Sequence, residues 1–135
     1  VAHLDDFLSA RRDRPFEYFA HDCVHLAADW VLEKTGSDPL APLRADLLDA
    51  KNLLAALRYV RAAGGFVAAA ERLLGPSLPG LMAQRGDVVL MRSGGRVGRV
   101  SGFSFGLATG THLAGPGPNE LVFVPVTEGV AAWRV

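Results

Sequence analysis

Residues 18–30, Tyr18-Phe19-Ala20-His21-Asp22-Cys23-Val24-His25-Leu26-Ala27-Ala28-Asp29-Trp30, hold the clearest helix start in the chain. Asp22 reads as an N-cap, a short carboxylate able to accept from the free amides of the turn that follows it. From there Cys23, Leu26, Ala27 and Trp30 fall on one buried face, and the helix stops near Gly36. The chain's single cysteine therefore stands in the first turn of a helix, directly after an acidic cap.

Toward the N-terminus, Leu4, Phe7 and Leu8 recur at helical spacing before the charged run Arg11-Arg12-Asp13-Arg14, and Pro15 ends the pattern. This is a short amphipathic helix, and the run after it reads as solvated. Val1 to Phe16 contains no uninterrupted apolar stretch of the kind a signal peptide or membrane span needs, so folding in the cytoplasm is expected.

Toward the C-terminus, Pro39 and Pro42 mark a connection. Leu53, Leu54, Leu57 and Val60 then predict a third helix running up to Gly64-Gly65, and Phe66, Val67, Ala70, Leu73 and Leu74 predict a fourth. The run Gly75-Pro76-Ser77-Leu78-Pro79-Gly80 ends helical periodicity. Beyond Gly86 the spacing changes to that of strands, predicted at Asp87–Met91, Val97–Phe105, Leu107–Leu113, Leu121–Val126 and Ala131–Val135. Ser93-Gly94-Gly95 and Gly115-Pro116-Gly117-Pro118-Asn119 read as connections. Helices first and an antiparallel sheet second is an α+β order, expected over residues 1–135 as one domain.

Half of the 135 residues are apolar, enough for a core without disulfides. Lys plus Arg and Asp plus Glu both number 14, and this neutrality argues against nucleic acid as a partner. One cysteine excludes an internal disulfide and a multi-cysteine zinc site. His21, Cys23 and His25 would be spread around a helix circumference, so no metal and no cofactor is expected.

Two readings of Cys23 stand. At a helix N-terminus the unsatisfied amides and the macrodipole favour thiolate, which suits a nucleophile. Equally, a free cysteine beside Leu26 and Trp30 is a small apolar core residue.

Tyr18-Phe19-Ala20-His21-Asp22-Cys23 followed by a helix resembles the cysteine motif of NlpC-type, papain-like cell-wall peptidases. Arg85-Gly86-Asp87-Val88-Val89-Leu90 resembles the Gly-Asp segment that opens their sheet. With Ala27-Ala28-Asp29-Trp30-Val31, Leu121-Val122-Phe123-Val124-Pro125 and Ala132-Trp133-Arg134-Val135, nearly the whole chain is similar to a small family encoded in tail-gene clusters of phages and prophages. The resemblance implies a papain-like fold with Cys23 at the nucleophile position and Asp22 and His21 supporting the site.

It also exposes a departure. Such enzymes carry the base histidine at the start of the strand after the Gly-Asp strand, and the comparable stretch, Arg96 to Phe103, has none. His112 lies one strand later and serves as base only if the fold brings that strand's end to Cys23. Otherwise it is a half-exposed residue beside a glycine-rich loop. His25 points to roughly the opposite side of its helix from Cys23. Trp30, Phe66, Phe103, Phe123 and Trp133 fall on apolar stripes or alternating positions and read as packing.

The resemblance thus implies a tail-tip or baseplate component of a virion, assembled in the host cytoplasm among the distal tail ring, the hub and the central fibre. A structural role with a degenerate site is the first expectation. Cysteine-dependent cleavage of peptidoglycan during genome entry is the alternative. Under the structural role, Leu121–Pro125 and the C-terminal Ala132–Val135 partly face partner subunits.

Overall fold

The structure, a computed structural model, describes residues 3–92 and 103–135. Its helices are α1 Leu4–Ser9, α2 Cys23–Thr35, α3 Ala41–Leu43 running into a π-helical turn at Arg44–Leu48, α4 Leu53–Ala63 and α5 Phe66–Leu74. The strands are β1 Leu78–Pro79, β2 Val88–Arg92, β3 Phe103–Ala108, β4 His112–Pro116, β5 Leu121–Pro125 and β6 Gly129–Trp133. They form one six-stranded sheet in the order β1-β6-β2-β3-β4-β5, every pairing antiparallel. The expected α+β order, helices and then sheet, is what the chain adopts.

The helix boundaries follow their local chemistry. The Asp22 side chain accepts from the His25 amide and Gly36 closes α2 with φ 80°. The Asn52 side chain caps α4. Between α4 and α5 the chain bends by 87° at Gly64-Gly65, whose φ values of 105° and 119° only glycine adopts without strain.

The strands depart from expectation in three places. The predicted Leu107–Leu113 strand is broken by a turn at Thr109–Thr111, where Gly110 has φ 114° and the Thr109 hydroxyl donates to the His112 carbonyl. Gly115 and Pro116, predicted in a connection, are the last residues of β4. The two-residue β1 was not anticipated; its Leu78 and Pro79 pair with Ala132 and Ala131. Of the predicted Val97–Phe105 strand, Phe103–Phe105 lie in β3; residues 97–102 and the Ser93-Gly94-Gly95 connection lie outside the described residues.

Alternation along β2 serves two cores. Val88 and Leu90 face the helices and pack with Leu26, Trp30, Leu107 and Trp133, while Leu4, Phe7 and Leu8 of α1 close the same cluster. Val89 and Met91 face the other way, with Leu113, Val124 and Ala132, under Leu78, Ala83 and Val126. Burial on both faces explains why Val88-Val89-Leu90-Met91 is an uninterrupted apolar run.

Within the C-terminal segment, Ala132 and Trp133 belong to the core, while Arg134 is exposed and Val135 half-buried. Ala132 and Trp133 are buried in β6, between β1 and β2, and the Trp133 indole donates to the Gly75 carbonyl at 3.0 Å. Conversely, Phe103 and Phe123, expected in packing, are 37% and 48% exposed. Phe123 lies on β5, an edge of the sheet.

The charged run after α1 is also more than a solvated face. The Arg11 guanidinium lies 3.6 Å over the Phe7 ring, which meets Trp30 edge-on. The segment then straps the edge hairpin: the Leu121 amide donates to the Arg12 carbonyl and the Phe16 amide to the Pro118 carbonyl.

Beyond the apolar packing, a side-chain hydrogen bond ties helix α2 to the turn before β2. The buried Trp30 indole donates to the Gly86 carbonyl at 2.8 Å, and Gly86 holds φ 92°. Asp87, itself buried, accepts from the Gln84 amide and receives Arg134 at 3.3 Å. Trp30→Phe strands that carbonyl, and a loss of about 1–3 kcal/mol in urea unfolding is expected. Gly86→Ala forces a side chain into left-handed backbone and should lose about 1–2 kcal/mol. Wild-type midpoints for both would refute the anchoring role.

Candidate functional site

The site is organised by Asp22. One carboxylate oxygen, Oδ1, accepts from the His25 amide at 2.7 Å and lies 2.8 Å from His25 Nδ1, which must donate because a carboxylate only accepts. The other, Oδ2, accepts from the Phe19 amide at 2.8 Å. Phe19 has φ 64°, a strained value for a bulky residue, and the Asp22 bond fixes it there. Burial pushes the Asp22 carboxyl upward, but the His25 ring, its charge and the two amides outweigh burial and hold the carboxyl below its ordinary value.

Cys23 is the first residue of α2, half-buried, with a free thiol. The dipole of α2 favours thiolate, yet the thiol is pushed up to about 12. Desolvation is the leading cause; hydrogen bonding from the Phe105 backbone offsets part of it, and the Asp22 charge adds to the rise. This rise opposes the low thiol pKa expected from helix position alone. A helix terminus contributes about 0.3–1 kcal/mol, whereas enclosing an anion costs several.

The four histidines do not supply a base to this thiol. His112 begins β4, exposed, with Nδ1 2.9 Å from the Thr111 hydroxyl. Ala108 opposes Leu113, which places His112 one step beyond the end of β3. Phe105, against the thiol, lies about 13 Å back along the sheet at ~3.4 Å per residue. His25 is turned about 200° around the helix from Cys23 and engages Asp22. His3 precedes α1 and is exposed.

His21 is 1% exposed, and its Nε2 has no partner among the described residues. Its backbone bridges Glu17, closing the loop before α2. Burial first, then Arg14 and Arg11, push its pKa down. Asp22 caps α2, and the His21 backbone closes the loop that leads into it. Among the described residues no group of three or more His, Cys, Asp or Glu is placed to hold a metal ion.

What the sequence reading did not find is a cavity of about 180 Å³ beside Cys23, walled by α2, α4 and α5 and by Phe103 and Phe105 of the sheet. The i, i+2 spacing of these two phenylalanines was the available signal.

The chain belongs to the family described as a domain of unknown function, DUF6950, whose model matches residues 1–135. No curated protein and no solved structure is matched.

Iodoacetamide should label Cys23 in the folded protein far more slowly than in unfolded chain, with no midpoint below about 8.5; rapid labelling near neutral pH would refute the enclosed thiol. Because folding lowers the His21 pKa, its contribution is present above about pH 6.5 and is lost as the unfolded chain takes up its proton below that value. The drop in urea midpoint between about pH 8 and about pH 5 should therefore shrink in His21→Gln. Asp22→Ala should lose about 1 kcal/mol, and Asp22 adds a separate loss at pH values below about 4.

Proposed function

We propose that the chain is a structural subunit of the tail tip or baseplate of a phage or phage-derived particle, built on an NlpC-like, papain-like fold whose catalytic site is degenerate. It acts in the virion, after assembly in the host cytoplasm, among subunits such as the distal tail ring, the hub and the central fibre. The placement rests on the tail-cluster resemblance carried by the Asp22-Cys23 helix start, the Gly86-Asp87 strand and the C-terminal strands.

One observation favours the structural role over the enzymatic one. The strand beside β2 has to present an imidazole to Cys23 in a papain-like mechanism, and here it presents Phe103 and Phe105 instead. Cleavage of peptidoglycan requires a thiolate and a base within hydrogen-bond reach, and the raised thiol and distant His112 argue against both. The residues of the motif have other work: Asp22 caps, Gly86 receives Trp30, and Asp87 closes the turn before β2.

For assembly, the surface that fits is the β5 edge. Edge strands offer backbone groups to a further strand, and beyond Leu121, whose amide the Arg12 carbonyl already holds, Phe123 adds an exposed aromatic ring at the middle of this one. No helix among the described residues is long and apolar enough to cross a membrane.

In particles carrying Cys23→Ala, tails should assemble and infect as wild type, while Phe123→Asp should reduce the yield of complete tails with the purified subunit still folded. Loss of wall degradation in Cys23→Ala particles that assemble normally would overturn this reading in favour of the peptidase.

A further inference from the structure

We infer that the cavity between α2, α4 and α5 is a binding site for a single aliphatic chain, such as the acyl tail of a medium-chain lipid. The inference stands apart from the assembly role. Three features of the cavity carry it.

The first is its chemistry. Leucine, valine, alanine and phenylalanine side chains dominate the lining, with Tyr18, Asp22, Cys23, His25 and Tyr59 also contributing, and nearly all of the lining surface is apolar, so the site favours an apolar occupant. A dry cavity of comparable size, about 150 Å³, takes up apolar molecules.

The second is its shape. Along α2 the wall runs from Cys23 through Ala27 and Ala28 to Val31. That run covers about 12 Å at ~1.5 Å per residue. Ala69 and Ala70 of α5 face the same space. Small side chains on both α2 and α5 in the lining leave a lane of room that runs along the helix axis, which suits an extended chain better than a compact ring.

The third is an unfinished core. Leu53, Ala56, Leu57 and Val60 of α4 repeat at the spacing of a core-facing stripe and line the cavity, yet no residue of α4 is buried. This helix packs chiefly on α5 and the preceding π-helical turn. A chain in the lane supplies the apolar contact that the stripe lacks and makes α4 a lid over it.

The test titrates the purified full chain with decanoate, read by thermal unfolding and by the methyl resonances of Ala27, Ala28, Ala69 and Ala70. Saturable binding, a Tm raised by several degrees and shifts in those four methyls are expected. Ala56→Phe, which fills the lane from the lid, should raise the Tm of the free protein and weaken decanoate by about tenfold or more. If that variant does not fold, Ala28→Leu takes its place. Absence of saturable binding, binding of benzene but not decanoate, or undiminished affinity in the filled variant would each overturn the proposal. So would a concentration-dependent dimer that shifts the same methyls without decanoate, since it would make a second copy the occupant.

Discussion

The geometry of this protein depends on one hydrogen bond between its two halves, from the Trp30 indole to the Gly86 carbonyl. The donor lies midway along α2 and the acceptor in the turn that opens β2, so the bond fixes both the height and the rotation of the helix over the sheet. Phe7 packs edge-on against the same indole and Arg11 covers Phe7, which brings α1 onto the junction. Gly86 must hold a positive φ to present its carbonyl, and Asp87 holds the turn through Gln84 and Arg134. Once α2 is set this way, its first residue lands against β3.

That placement decides the chemistry of Cys23. The same residue at the same helix position, left open to water, would feel mainly the unpaired amides and lean toward thiolate. Here β3 and the apolar cavity lie against it, and desolvation prevails over the dipole. Asp22 shows the opposite balance: it is largely buried too, but three hydrogen-bond donors converge on its two oxygens and hold its charge. Two adjacent residues at one helix start are thus driven in opposite directions, because desolvation prevails at Cys23 while the His25 ring and the two amides prevail at Asp22.

The legible parts of the sequence were those governed by neighbours in the chain. Asp22, Gly36 and the Gly64-Gly65 pair announce their helix ends because capping and left-handed turns are local events. The break between Ala108 and His112 was hidden because apolar residues flank the Thr109-Gly110-Thr111 turn on both sides. Strand β1 was hidden by its two-residue length and by Pro79. At the site, the cap could be read directly. The state of Cys23 could not, since it depends on Phe105 in a strand from the other half of the chain. The packing of Trp133 was legible from alternation, whereas the exposure of Phe123 was beyond local pattern, because strand order puts β5 at the edge of the sheet.

The strap from the N-terminal segment to the edge hairpin gives the fold a mechanical character. The Arg12 carbonyl holds the Leu121 amide and the Pro118 carbonyl holds the Phe16 amide, while Phe16 stands only a few residues before the Asp22 cap. A load applied to β5 along the strand therefore stretches these bonds together, in shear, and passes into α1 and the start of α2. A load that lifts β5 away from the sheet meets them one after another and opens the hairpin like a seam. The edge is stiff to tension along its length and weak to peeling.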